Sequence, residues 1–202
     1  MKQIIIFFFA VFSFGNIAYA ENSADSILKE VLSNIEERNP YKVEIEVSYA
    51  DNNLVGFYEV EDDKYYISID KQELYGDANV KYEVFNSRKE VVIDRVKSDN
   101  NGNILNNPAT AFSVIRDHYS ATILSENEYY TVIELKPNLG DENSVETIEL
   151  AVSNDEKLPI EIIYRFGDDM VRIKVVQITP LQSTITSYSP DKYVDYEVID
   201  FR

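Results

Sequence analysis

Histidine occurs once in this 202-residue chain, at position 118. Any Ser–His–Asp nucleophile arrangement would have to use His118, with Asp117 beside it. No serine sits in a Gly-x-Ser-x-Gly elbow, the strained turn that presents a nucleophile in one large hydrolase class. A histidine closing a short helix is the simpler reading of His118. Asp99-Asn100-Asn101-Gly102-Asn103 places oxygen ligands at alternate positions, as calcium loops do. Its glycine stands fourth instead of sixth, and the twelfth position is Thr110, not Glu, so turn chemistry accounts for the segment. The pairs Asp62-Asp63 and Asp168-Asp169 have the type for acid–base work. With 36 acidic residues in the chain, however, such pairs arise by chance and read as hairpin turns. Cysteine is absent, which removes thiol catalysis, iron–sulfur sites and the common structural zinc sites. No glycine-rich phosphate loop exists. The expectation is no catalytic residue, no metal and no cofactor.

The elements around these residues are legible from periodicity. Ile27, Leu28, Val31, Leu32 and Ile35 form one apolar stripe of an amphipathic helix, with Ser23 as N-cap and Asn39-Pro40 as stop. After Pro40 the period becomes two. Val43, Ile45, Val47 and Tyr49 alternate with Lys42, Glu44, Glu46 and Ser48, as in a half-buried strand. Asp51-Asn52-Asn53 reads as a turn. Strands are expected over 54–61, 64–70, 72–74, 82–84 and 88–96, a spacing typical of an antiparallel sandwich or barrel. Residues 98–108 read as a polar loop, and Pro108 can open a short helix with Ala111, Phe112 and Ile115 on one face. Strands then resume over 121–124, 129–136, 145–153, 159–166 and 170–177. A Ser- and Thr-rich tail follows Pro180 and turns strand-like at 196–199. This is a mainly β chain with some helix, an α+β class, whose apolar faces would point inward in a barrel or curved sheet.

The first twenty residues have a different character. Lys2, an apolar run over 4–17 and Ala18-Tyr19-Ala20 make the three-part pattern of a secretory signal peptide, with cleavage expected after Ala20. The run is too short to cross a bilayer as a helix, and no cysteine follows the site to be acylated. Residues 21–202 are expected to form one domain, exported to the periplasm and monomeric. That segment carries 18 basic and 36 acidic residues, a net charge of −18. So acidic a surface is repelled by nucleic acid and by anionic head groups.

Three stretches resemble the periplasmic outer-membrane lipoprotein carrier family (LolA and its relatives). Gly56-Phe57-Tyr58-Glu59-Val60 with Asp63-Lys64-Tyr65-Tyr66 is similar to a family hairpin. Asn107-Pro108-Ala109-Thr110-Ala111-Phe112 is similar to the insertion opening its lid helices; beside the three stretches, Leu135-Lys136-Pro137 also fits a recurring strand end. The most specific match is Ser187-Tyr188-Ser189-Pro190-Asp191-Lys192-Tyr193 with Glu197-Val198-Ile199-Asp200-Phe201-Arg202. Two positions depart from the pattern. Tyr66 stands where the family arginine ties lid to barrel, and Gly76-Asp77-Ala78-Asn79-Val80 replaces a turn that the family follows with an aromatic, here Tyr82.

The resemblance implies a half-open antiparallel β-barrel of about 10–11 strands closed by a lid of short α-helices. It implies an apolar cavity that shields lipoprotein acyl chains, with no covalent chemistry. The implied partners are acylated lipoproteins, an inner-membrane lipoprotein-releasing transporter and an outer-membrane acceptor. A related amphiphile carrier, or a protein- or glycan-binding module with a filled core, are the competing readings. Expected cavity and lid residues are Ile27, Val31 and Ile35 on the first helix, and Phe112 and Ile115 on the second. On strands they are Val47, Phe57, Tyr65, Tyr66, Ile67, Ile133 and Ile162. At Phe57 the strand parity is open, because Leu54, Gly56, Tyr58 and Val60 compete for the inward face.

Overall fold

The computed structural model describes residues 23–96, 102–138 and 147–202. The leader, residues 98–101 of the Asn-rich loop and the first two positions of the strand expected over 145–153 fall outside these residues. The order is α1 (Ala24–Glu36), β1 (Tyr41–Tyr49), β2 (Asn52–Glu61), β3 (Lys64–Ile69), β4 (Gln72–Gly76), β5 (Val80–Phe85) and β6 (Glu90–Arg95). Then come α2 (Ala111–His118), β7 (Tyr119–Glu126), β8 (Tyr130–Pro137), β9 (Thr147–Ser153), β10 (Pro159–Phe166), β11 (Asp169–Pro180), a 3-10 turn at Pro190–Tyr193 and β12 (Glu197–Asp200).

Helix α1 begins where expected: the Ser23 hydroxyl accepts from the Ser26 N–H, satisfying one of the orphan donors of the first turn. Its whole apolar stripe is buried. The strands join one twelve-stranded sheet in the order β12-β6-β5-β4-β3-β2-β1-β11-β10-β9-β8-β7. The end strands do not pair with each other, so the sheet curls without closing. Register shifts at Glu44/Ile45, Ile123/Ser125 and Pro159/Glu161 are the kind of irregularity that bends a sheet. Among the described residues no helix is long and apolar enough to cross a membrane.

The expected half-open β architecture with short helices is therefore present, with twelve strands where the resemblance implies about 10–11. The strand expected in the tail, at 196–199, forms and joins the sheet at its edge. β12 lies parallel to β6, Glu197 opposite Glu90 and Asp200 opposite Ile93, while all other neighbours are antiparallel. A parallel pair needs a long crossover. Here the second half of the chain separates the two strands, and residues 181–196 lead into β12 across the outer face of the sheet, where Ile185 and Tyr193 pack.

Two cores result, one on each face. The larger lies on the concave face under α1 and α2, and takes in Val43, Ile45 and Val47 from β1 with Ile133, Leu150, Ile162 and Ile173. The smaller lies on the convex face beneath the tail, and contains Tyr66, Tyr75, Val84, Val91, Ile93, Ile185 and Tyr193.

Candidate ligand-binding cavity

The helix-covered half of the concave face is filled by its own side chains. Val31, Ile133, Leu135, Ile148 and Ile173 have no measurable exposure. The adjoining loop is fixed from below by Tyr164, a fully buried residue of β10. Its hydroxyl accepts from the Ile104 N–H at 3.1 Å and donates to the Gly102 carbonyl at 3.0 Å. Burial pushes the Tyr164 phenol well above its ordinary range, so it stays a neutral donor. The Asn103 side chain accepts from the Leu105 N–H, and that of Asn107 from Ala109 and Thr110. These local turns carry the chain from the loop into α2.

Beyond the filled half lies an open apolar pocket of about 300 Å³ between the concave sheet and this loop. Val47, Leu54, Ile67, Ile69, Leu74, Phe85 and Leu105 line it, with Gln72, Asn106 and Glu83 also contributing. Glu83 is paired with Lys81. The volume is at the lower end of the range of about 300–1,000 Å³ for small-molecule sites. With mostly apolar walls, and Gln72, Glu73, Glu83 and Asn106 as its polar residues, such a pocket can hold a hydrocarbon chain. Among the described residues no cluster of His, Cys, Asp and Glu could hold a metal. His118 ends α2 at the surface.

The twelve residues expected at the cavity do not stay together. Ile27, Val31, Ile35, Val47, Tyr65, Ile67, Phe112, Ile115, Ile133 and Ile162 all join the concave core. Of these, only Val47 and Ile67 line the open pocket. Phe57 and Tyr66 lie on the other face, in the convex cluster, and this corrects both placements. For Phe57 the reason is the register. A three-residue turn at 51–53 would put Phe57 opposite Val47. The hairpin instead turns through Ala50 and Asp51, so Leu54 opposes Val47 and Tyr58 opposes Val43. An odd shift of register, here three residues, exchanges the faces of the whole strand. Tyr66 follows because it opposes Glu59 on β2 and Tyr75 on β4, both of convex parity. Its hydroxyl donates to Glu73 at 3.3 Å and its ring stacks on Tyr75, so it ties no helix to the barrel.

Sequence reasoning left Leu54 as an open alternative and missed Ile69, Leu74, Phe85 and Leu105. Leu54, Ile69 and Leu74 could have been found by counting register outward from Val47 through the two-residue turns. The same counting would not find Leu105, because only the folded loop brings it to the sheet.

On the convex face, the tail is secured by one carboxylate. Glu73 Oε2 accepts from Lys192 Nζ at 2.7 Å, from the Tyr193 hydroxyl at 2.8 Å and from the Tyr75 hydroxyl, while Asn86 donates to Oε1 at 3.0 Å. Partial burial by itself would raise the Glu73 pKa. The donors from Lys192, Tyr75, Tyr193 and Asn86 outweigh it and hold the group at about 2. The rings of Tyr82, Tyr188 and Tyr193 stack in sequence above this group. Nearer β2, the buried Glu59 accepts from the Thr186 N–H at 3.0 Å.

No protein-family model and no curated protein matches the sequence. Solved structures do match the fold. An uncharacterized conserved protein from Thermus thermophilus superposes with a TM-score of 0.56 at 11% identity, over 88% of this chain and 99% of that one. At that identity the likeness is one of fold alone. Less close are a putative outer membrane lipoprotein-sorting protein domain from Vibrio parahaemolyticus (TM-score 0.44, 12% identity, 85% and 98% covered) and a LolA superfamily protein from Nitrosomonas europaea (0.42, 10%, 85% and 97%).

Proposed function

We propose that this protein is a periplasmic carrier that binds acyl chains of lipoproteins and shuttles them from the inner to the outer membrane. The observation that carries the reading is the open apolar pocket of about 300 Å³ on the concave face. A monomeric α+β protein folded this way, with no group placed for catalysis among its described residues, has hydrocarbon shielding as the chemistry most open to it. Each methylene moved from water into such a pocket contributes about 0.8 kcal/mol. A modest pocket is an asset to a carrier, because release requires that the cargo not be held too well.

The same reading takes residues 1–20 as a cleaved signal peptide and residues 21–202 as the exported carrier domain. Its partners are acylated lipoproteins, with an inner-membrane transporter and an outer-membrane acceptor at either end of the route. The test is native mass spectrometry of protein purified from its own periplasm, followed by titration with a synthetic acylated peptide. Co-purified lipid or saturable binding of the acylated peptide, but not of its unacylated form, is the expected result. Equal indifference to both peptides and an empty purified protein would end the carrier reading. Binding of simple amphiphiles in preference to the acylated peptide would replace lipoprotein with another lipid as cargo.

A further inference from the structure

The tail shows how the convex face takes an extended segment. Where residues 181–196 cross it, Ile185 and Tyr193 are buried against the sheet. The Glu59 carboxylate accepts from the Thr186 N–H at 3.0 Å, and the Glu73 carboxylate accepts from Lys192 Nζ at 2.7 Å. Apolar anchors, a carboxylate on a backbone N–H and a carboxylate on a lysine together hold the segment. Part of its track follows the row Glu59, Tyr66 and Tyr75 across β2, β3 and β4.

The next rows on the same face border an open groove of about 520 Å³. One row reads Glu44, Phe57 and Ser68 across β1, β2 and β3, and the row after it holds Glu46 and Val55. All five line the groove, together with Asp70 at the end of β3 and Val176 of β11. Val176 is the extra residue of a bulge, where Gln177 pairs with Glu44 and Val175 with Ile45. A bulge re-aims the side chain of its extra residue, and here it delivers a valine to the groove. Val55 is 75% exposed and Val176 51%.

The charges around this apolar floor are unevenly matched. Glu46 pairs with Lys174, and Lys42 Nζ lies 3.9 Å from the centre of the Phe57 ring. Glu44 and Asp70 have no ion pair and no side-chain hydrogen bond among the described residues. They stand on the β1 and β3 sides of the floor, both exposed. The groove thus carries the same two components that hold the tail one row away, apolar surface and acceptor carboxylates, with nothing of this chain laid across them. The net negative charge of the chain adds to the attraction for a cationic segment.

We propose that this groove docks a short, extended, basic segment of a partner protein, laid alongside the tail. An aliphatic side chain of the partner rests on Val55, Phe57 and Val176, and lysine or arginine side chains reach Glu44 and Asp70. Four strands at a spacing of about 4.8 Å make a floor about 14 Å across, the length of about four extended residues. The groove lies on the opposite face from the apolar pocket, so this docking stands or falls independently of the carrier reading.

The experiment is protein-observed NMR titration of the full exported chain with an acetylated pentapeptide amide of alternating lysine and valine. One control peptide has glutamate in place of lysine, and another has glycine in place of valine. Phosphatidylcholine vesicles and sedimentation of the free protein complete the set. The lysine–valine peptide is expected to give saturable shifts at Gly56, Ser68 and Val176, and each control to bind at least tenfold more weakly. Glu44→Gln combined with Asp70→Asn is expected to weaken the peptide about tenfold without lowering Tm. Asparagine suits the left-handed backbone at Asp70, where φ is 51°. Val55→Lys, a change at an exposed position, is expected to abolish binding. Absence of shifts with the lysine–valine peptide overturns the proposal, as does equal binding of either control or binding that the double variant leaves unchanged. Shifts produced by the vesicles in place of the peptide would make the groove a membrane contact. A dimer that Val55→Lys dissociates would make it a contact between copies of this chain. Either result overturns the proposal.

Discussion

The two faces of the sheet are built from the same strands by different means. On the concave side, aliphatic residues of β1, β8, β9, β10 and β11 meet the apolar stripe of α1, and cohesion comes chiefly from packing, with the hydrogen bonds of Tyr164 serving the loop at 102–104. On the convex side, tyrosines from β3, β4 and β5 meet tyrosines of the tail, and a single glutamate accepts from the hydroxyls of Tyr66, Tyr75 and Tyr193. Burial of aliphatic surface is non-directional and tolerates sliding. The tyrosine network is directional, and fixes where residues 181–196 cross and hence where β12 joins the sheet. The difference teaches that the fold reserves geometric precision for its strap and bulk cohesion for the face that borders the apolar pocket.

The contrast breaks most visibly in the concave core. Ile133→Ala removes a fully buried branched side chain and is expected to cost about 2–5 kcal/mol in urea unfolding, with the slope unchanged. A smaller loss is expected for Glu73→Ala, about 1–3 kcal/mol, because three partly buried hydroxyls and Lys192 lose a common acceptor. Glu73 also carries a pH signature that the aliphatic side lacks. Its folded pKa of about 2 lies below the ordinary 4.5, so its contribution is present above pH 4.5 and is lost as pH falls toward 2. The stability gap between the native chain and Glu73→Gln should close over that interval, and a gap independent of pH would refute the assignment.

Leu74→Glu sharpens the comparison from the ligand side. Leu74 is half-buried and lines the apolar pocket, so a carboxylate there is expected to weaken acylated-peptide binding by tenfold or more, about 1.4 kcal/mol. Phe57→Ala, on the other face, should leave that binding unchanged. The smallest effect expected is that of Tyr193→Phe, about 1 kcal/mol, since the ring stays and only the bonds to Glu73 and Tyr75 go. Hydrogen exchange should then show faster opening of β12 but not of β1.

Much of this was legible in the residues themselves. The helix stripe from Ile27 to Ile35, the Ser23 cap and the alternation of Val43, Ile45 and Val47 are local patterns whose period names the element. They also name which face of β1 is apolar, because its other face reads Lys, Glu, Glu, Ser. On β2 and β3 both parities carry large apolar or aromatic residues, so periodicity could not choose. Phe57 and Tyr66 went to the convex side because a two-residue turn at Ala50–Asp51 set the register. The tail was recognisable as a strand but not as a parallel one, since its partner, β6, is about a hundred residues away in sequence. Periodicity is fixed by the geometry of a single element, and the sequence alone determines it. Register and the open pocket depend on distances between elements, and only the tertiary structure decides those.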